Sequence, residues 1–259
     1  MITYNQEGRK AREDPRVGPL WAQDGRMARS RNRQEEDNMQ LLEDYISRSL
    51  PEDGGFCTRP GLLEKVDPQG RLLPYRGNTV VFLLAEPEKR TLAKLRERLY
   101  EAAGDMLAEP LDPDTFHMTL HDLVSGPAGS LGLEERMSGV LPNARAVLAQ
   151  WRDQPPLHLK ATWTFNMVNT SIVLGLAPAD EDSGRRLDGM YAALEQVRTL
   201  GYDLTPHITL AYFRPGEYRQ DQAARLREAL GPVEWELTLR MEELVLQEFQ
   251  DMNHYKTVP

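Results

Sequence analysis

Two short segments about ninety residues apart carry the same pair of side chains suited to acid–base chemistry. The pattern His-x-Thr-Leu occurs twice, with His117 and Thr119 in the first copy and His207 and Thr209 in the second. In both copies apolar and polar residues alternate with a period of two, which predicts short β-strands. On a strand, each histidine shares a face with its threonine, about 6 to 7 Å away. If the two strands meet, they form a pocket with two imidazoles and two hydroxyls.

The repetition makes this signal specific. The chain contains five histidines, and chance alone would give about 0.4 matches to His-x-Ser/Thr. Two copies, each with an apolar residue at x and a leucine after the threonine, are therefore a strong signal. The competing interpretation is that both histidines are ordinary polar residues on half-exposed strands.

The paired His-x-Thr-apolar motifs resemble those of the 2H phosphoesterase superfamily. A second resemblance lies at 67–81, where Asp-Pro-Gln-Gly-Arg-Leu-Leu-Pro-Tyr-Arg-Gly-Asn-Thr-Val-Val is similar to the opening of a cyclic-phosphodiesterase-like branch. Together the resemblances cover roughly residues 62–259. They imply an α+β fold of two pseudo-symmetric lobes, each an antiparallel sheet backed by helices, with the active-site cleft between them.

The same resemblance implies roles for the motif residues. His117 and His207 would be the general acid and general base on a phosphodiester, and Thr119 and Thr209 would bind phosphate oxygens, without a metal or another cofactor. An imidazole titrates near pH 6.5, so two histidines in opposite protonation states suffice to deprotonate water and protonate a departing ribose oxygen. The threonine hydroxyls would donate to the non-bridging oxygens. Which histidine is the acid stays open.

Composition limits the classes of partner. The net charge of −9 argues against broad adhesion to nucleic acid, but leaves room for a nucleotide or a short RNA-type phosphodiester in a local cleft. A single cysteine, Cys57, excludes an intrachain disulfide and suits a reducing compartment. No apolar run approaches the roughly 20 residues of a membrane span, and the N-terminus lacks a signal-peptide pattern. We therefore expect a cytoplasmic protein that does not insert into membranes.

The chain divides into two regions by pattern. Residues 1–60 are predicted to form a polar N-terminal extension with one amphipathic helix at 37–50. The resemblance implies that residues 61–259 form the bilobal catalytic domain. The arginine-rich start is either an arm for phosphate or a partner subunit, which would make the protein oligomeric, or a solvated tail. In both halves of the catalytic region a strand, a helix and a motif strand follow one another, at 79–120 and 171–213.

Hydrophobic periodicity predicts the remaining elements. Strands are predicted at 79–85, 115–120, 157–166, 171–176, 205–213, 233–240, 243–249 and 254–258, and helices at 87–103, 133–151, 182–200 and 217–230. Between them, 122–132 is rich in glycine, serine and proline, which predicts a loop near the site and a candidate lid.

One strand, 157–166, alternates strictly and offers a polar face beside the motifs. Its candidate substrate-binding residues are Lys160, Thr162, Thr164 and Asn166. The alternative is that this row merely faces solvent. On either interpretation Trp163 lies on the apolar face and is predicted to belong to the core.

The other histidines leave two alternatives open. His121 shares the strand face of His117 if the strand is regular, so it either touches substrate or is a surface histidine. A zinc pair of His117 and His121 would need a helix, because four residues of strand separate them by about 13 Å. His158 and His254 have no partner motif and are predicted to be structural.

The sequence thus predicts a metal-independent phosphodiesterase for a cyclic phosphate or small oligonucleotide, with a 2′,3′-cyclic phosphate or a 2′–5′ linkage as substrate. One alternative is a nuclease that degrades a cyclic oligonucleotide second messenger. Others are a non-catalytic nucleotide- or RNA-binding module on the same fold, and an assembly protein that acts through its N-terminal arm.

Overall fold

An eight-stranded antiparallel sheet dominates the part of the chain that the computed structural model describes, residues 50, 51 and 53–259. The strands are β1 (Phe56–Cys57), β2 (Tyr75–Leu83), β3 (His117–Pro127), β4 (Leu157–Met167), β5 (Ser171–Pro178), β6 (His207–Tyr212), β7 (Glu217–Tyr218), β8 (Glu236–Leu239), β9 (Leu244–Asp251) and β10 (His254–Val258). Their order in the large sheet is β10-β9-β2-β3-β6-β5-β4-β8, and β1 pairs with β7 in a separate two-stranded sheet.

The large sheet consists of two four-stranded halves. The first half is β10-β9-β2-β3 and the second is β6-β5-β4-β8, so the two motif strands are the inner edge of each half. Only one residue pair, Met118 with Ile208, joins β3 to β6 among the described ladders. The predicted α+β fold with antiparallel sheets is confirmed, and its two lobes are the halves of one sheet.

Four α-helices cover one face of this sheet in the described region. They are α1 (Glu86–Ala103), α2 (Leu133–Trp151), α3 (Glu181–Glu195) and α4 (Gln220–Ala229). Helix α1 leaves β2 and contacts β6 of the other half, whereas α3 leaves β5 and contacts β3. The helices therefore tie together two halves that share little backbone hydrogen bonding.

Several predicted boundaries need correction. The helix at 133–151 and the strand at 254–258 have the predicted bounds, and most other elements differ at one or both ends. Helix α3 ends at Glu195 rather than at 200, because the Glu195 carboxylate accepts the N–H of Leu200 and Gly201 turns the chain with a φ of 78°. The predicted helix at 37–50, apart from its last residue, and the N-terminal arm lie outside the described residues.

The candidate lid at 122–132 is also wrong in its first half. Strand β3 continues to Pro127, with Asp122 paired to Thr79 and Val124 paired to Asn78. Two irregularities in this ladder break the alternation of apolar and polar residues, which is why the sequence reads as a loop. No helix in the described region is both long enough and apolar enough to cross a bilayer.

Candidate active site

The bridge between Met118 and Ile208 places the two motifs antiparallel about a local two-fold axis. Both residues are fully buried in the core beneath the helices. Because neighbouring side chains on a strand point to opposite faces, the histidine and threonine on either side of each bridge residue project from the open face. The site therefore lies where the two halves of the sheet meet.

The register also determines which motif residues face one another. In an antiparallel pair centred on the bridge, His117 stands opposite Thr209 and Thr119 stands opposite His207. All four side chains are half-buried. Neither threonine hydroxyl forms a hydrogen bond with another described residue, so both are available to a ligand.

Each catalytic candidate imidazole is held by a backbone carbonyl two residues earlier. Nδ1 of His117 lies 2.7 Å from the carbonyl oxygen of Thr115, and Nδ1 of His207 lies 2.6 Å from that of Thr205. A carbonyl oxygen can only accept, so Nδ1 carries the hydrogen in both rings. Nε2 is then the atom that exchanges protons, and it is directed away from the backbone in both motifs.

The environment favours neutral imidazoles. Burial lowers the pKa of His117 to about 4, against the opposing influence of the Thr115 carbonyl and the Asp122 carboxylate. Burial likewise lowers the pKa of His207, opposed by the Thr205 carbonyl and again by Asp122. A positive charge on His207 further lowers the pKa of His117.

A matched β-bulge follows the motif in each half. In the first half, Thr119 pairs with Val81 and His121 with Val80, so Leu120 is the extra residue. In the second half, Thr209 pairs with Val173 and Ala211 with Ile172, so Leu210 is extra there. A bulge reverses the faces of all residues that follow it.

The first bulge corrects the prediction that His121 shares the face of His117. His121 is buried on the helix side, where its Nε2 lies 3.0 Å from the Glu195 carboxylate and its ring lies 5.1 Å from that of Tyr191. It therefore does not face the cleft, and it cannot share a metal ion with His117 on the opposite face. Its contacts instead join β3 to α3.

The same reversal brings two unpredicted residues to the open face. Asp122 and Tyr212 each stand three positions after the threonine of their motif, one in each half. Asp122 is exposed, and the Thr79 hydroxyl lies 3.3 Å from its carboxylate. Its charge raises the pKa of both motif histidines and of Lys65. An alignment of the two motif copies that extended past the threonine would have identified this pair from the sequence.

The polar row on β4 is divided by a third bulge, between Ala161 and Thr164. Thr164 and Asn166 are buried on the core face, where Thr164 bonds Gly231 and Asn166 bonds Asn169, so their prediction as substrate-binding residues is wrong. The same bulge leaves Trp163 43% exposed, so it does not belong to the core.

Lys160 and Thr162 remain outside the core. Lys160 is exposed. The buried Oγ1 of Thr162 has no hydrogen-bond partner among the described residues. The Thr162 Oγ1 atom lies over Gly175, at 2.7 Å from the position that a Cβ on Gly175 would occupy. Gly175 in turn pairs with His207 in the β5–β6 ladder. Of the predicted row, Thr162 is thus the residue that the structure brings near a motif histidine.

A pocket of about 270 Å³ opens beside His117. The ring of Tyr255 lies 4.9 Å from the His117 ring, edge to face, and forms part of its wall. Gln247 also lines it, and the Gln247 Oε1 atom has no hydrogen-bond partner among the described residues. His254 borders the pocket and pairs with Asp251 at 2.7 Å, whereas His158 lies away from it and contacts Thr238. The pocket gives the His117 side room for more than a phosphate group.

Comparison with known proteins supports this architecture. No protein-family model and no curated protein matches the sequence. Among solved structures, the conserved protein of unknown function ATU0111 from Agrobacterium tumefaciens str. C58 is 19% identical, with a TM-score of 0.56 over 83% of this chain and 96% of that chain. The chain shares the fold of that protein. The resemblance of the two motifs to the 2H phosphoesterase superfamily stays a prediction.

Two further solved structures are more distant. The protein TT0787 of Thermus thermophilus is 18% identical, with a TM-score of 0.47 over 71% of this chain and 95% of that chain. LigT of Escherichia coli, in its apo form, is 15% identical, with a TM-score of 0.45 over 71% and 95% of the two chains. Similarities of this size do not by themselves establish shared chemistry, so the function rests on the site.

Proposed function

We propose that this protein is a phosphodiesterase that hydrolyses a cyclic phosphate or a small oligonucleotide by two-histidine acid–base catalysis. The observation that carries the proposal is the pairing of the motifs at one bridge, with the Nδ1 atoms of His117 and His207 both bound to backbone carbonyls. That arrangement leaves two Nε2 atoms and two threonine hydroxyls on one open face. Such a set of groups suits a phosphate held between a proton acceptor and a proton donor.

In the proposed mechanism His117 is the base and His207 the acid. The pKa of His117, about 4, keeps its Nε2 unprotonated at neutral pH, so it accepts a proton from water as the water oxygen bonds to phosphorus. Nε2–H of His207 donates its proton to the ribose oxygen as the phosphorus–oxygen bond breaks. The product is a phosphomonoester with a free neighbouring hydroxyl. Thr119 and Thr209 donate hydrogen bonds to the non-bridging oxygens, on which negative charge grows.

The pocket beside His117 supports a nucleotide as the substrate class. Its volume and its tyrosine and glutamine lining suit a planar group with N–H donors. A 2′,3′-cyclic nucleotide and a short 2′–5′-linked RNA-type substrate both meet this description. Degradation of a cyclic oligonucleotide messenger is a variant of the same chemistry.

The test is turnover of a panel of 2′,3′-cyclic nucleotides, 2′–5′ dimers and cyclic dinucleotides in the presence of EDTA. We expect EDTA-resistant turnover, because every proton transfer is assigned to a side chain. His117→Ala and His207→Ala should each lower kcat about 10²- to 10⁴-fold. His158→Ala, an exposed histidine outside the cleft, is the matched control and should be without effect.

Three outcomes would contradict parts of the proposal. Undiminished turnover in both alanine variants would remove the catalytic roles of the two histidines. Loss of turnover in EDTA would contradict a mechanism without a metal ion. Tight binding of a nucleotide without turnover across the panel would instead identify a non-catalytic binding module.

A further inference from the structure

Lys65 lies in a turn that has no role in the proposed acid–base chemistry. The turn lies at 60–74 and includes the start of the segment that resembles the cyclic-phosphodiesterase-like branch. Lys65 follows the short helix Pro60–Glu64, and its own N–H and C=O are bonded to Leu62 and Leu73 at 2.9 and 2.8 Å. Downstream, an Asp67 carboxylate oxygen accepts two backbone N–H groups at 2.9 Å. The backbone on both sides of Lys65 is therefore fixed.

The Lys65 ammonium is held by aromatic rings instead of a carboxylate. Nζ lies 4.9 Å from the centre of the Tyr75 ring and 5.9 Å from that of Tyr212. No carboxylate of the described residues lies within 4 Å of it, in contrast to Lys89, which pairs with two acidic residues. Cation–π contacts hold an ammonium in place while leaving its N–H donors free.

These contacts place Lys65 at the cleft but not against the imidazoles. Tyr212 is the residue that the second bulge turns to the open face, three positions after the motif threonine. Tyr75 stacks on Phe249, Phe249 contacts Tyr255, and Tyr255 contacts His117. A row of rings thus connects the ammonium to the catalytic candidate and separates the two.

The Lys65 side chain keeps its positive charge. Burial lowers the pKa of Lys65, but Tyr212, Asp122 and Tyr75 together more than offset that influence, so the pKa lies above its ordinary value. The cleft also contains the Asp122 carboxylate in a chain of net charge −9, and both repel an anionic substrate. The Lys65 ammonium, which has no ion-pair partner among the described residues, compensates for this repulsion.

We propose that Lys65 binds a second phosphate of the substrate, one that is not cleaved, at a subsite beyond Tyr212. This inference rests on the proposed function for the identity of the cleaved group. It narrows the substrate class to phosphodiesters that carry an additional phosphate, such as a 5′-phosphorylated nucleoside 2′,3′-cyclic phosphate or a dinucleotide. Lysine is suited to this role because its ammonium acts as a compact point charge with three donors.

The experiment compares two substrates that differ only in the 5′-phosphate. The protein should prefer the 5′-phosphorylated nucleoside 2′,3′-cyclic phosphate by about 10- to 100-fold in kcat/KM, mainly through KM, as expected for one charge-assisted contact. Lys65→Met should reduce this ratio to near one, and Lys65→Arg should retain part of it. Lys94→Met, an exposed lysine on α1, is the matched control and should leave the ratio unchanged.

A binding measurement separates failure of this inference from failure of the proposed function. Titration with a nucleoside 3′,5′-bisphosphate and with the corresponding 3′-monophosphate needs no turnover. Tighter binding of the bisphosphate that is lost in Lys65→Met supports the subsite even if neither cyclic substrate is hydrolysed. Equal affinities in the unaltered protein, or a preference that survives in Lys65→Met, would overturn it. If Lys65→Met does not fold, Lys65→Gln replaces it, and the preference for the bisphosphate should be lost in that variant as well.

Discussion

At the scale of the residue, two imidazoles with lowered pKa values determine the pH range of the proposed reaction. The base, His117, works only when unprotonated, and its pKa is about 4. The acid, His207, works only when protonated, and its pKa lies below the ordinary 6.5. Turnover is therefore highest midway between the two pKa values, where the product of the unprotonated fraction of His117 and the protonated fraction of His207 is largest.

We therefore expect kcat/KM to follow a bell-shaped profile with its maximum below about pH 6.5. Asp122→Asn should move the profile to lower pH, since the carboxylate raises the pKa of both histidines and its removal lowers them. Measuring kcat/KM against pH for both proteins tests the shift.

Asp153→Asn, at an exposed position after α2, is the control for the loss of one surface charge. A maximum above pH 7 would contradict the assignment of the two histidines. A profile that is the same in Asp122→Asn as in the unaltered protein would show that Asp122 does not act on them.

Site residues could be predicted from the sequence where the repeated motif itself identifies them. His117 and His207 stood out because the pattern repeats, and their neighbours in sequence fix their tautomers. Lys65 and Tyr255 did not stand out, because their place beside the motifs depends on ladders and turns that join distant parts of the chain.

At the scale of the element, β-bulges decide which side chains reach the cleft. A period-of-two pattern assigns faces correctly only up to the first extra residue. That is why Thr119 was placed correctly and His121 was not, although they are two positions apart on one strand. On β4, the same limit separates Lys160 from Thr164. Sequence periodicity thus predicted the elements well and the faces only in part.

His121 provides a test of this reassignment. Because it fills a buried position and bonds Glu195, His121→Ala should lower the free energy of unfolding by about 2–4 kcal/mol. The kcat/KM of the folded variant should stay within about threefold of that of the unaltered protein, since the side chain does not face the cleft. Denaturant unfolding and steady-state kinetics give the two quantities.

His158→Ala is again the matched control, because His158 is exposed and forms a single hydrogen bond with Thr238. Its free energy of unfolding should change by no more than about 0.5 kcal/mol. A raised KM in His121→Ala without loss of stability would instead indicate that His121 contacts the substrate.

At the scale of the whole molecule, every residue assigned to the site lies within one unit, between Lys65 and Tyr255. Deleting residues 1–36 should therefore leave kcat and KM unchanged. Measuring the molar mass of both proteins by light scattering tests the arm separately: a smaller oligomer after deletion would support its role as a contact for a partner subunit. Loss of turnover in a folded, truncated protein would contradict the assignment of the whole site to the later unit.

The near-equivalence of the two halves bears on the direction of cleavage. A substrate phosphate bound on the two-fold axis could occupy the site in either of two orientations related by that axis. The motif histidines and threonines alone do not distinguish between these orientations. A 2′,3′-cyclic phosphate bound the other way round would exchange its departing oxygen, and the opposite regioisomer would form. In the proposed reaction, regiochemistry would therefore depend on the unlike neighbours of the axis, a carboxylate at Asp122 on one side and a phenol at Tyr212 on the other.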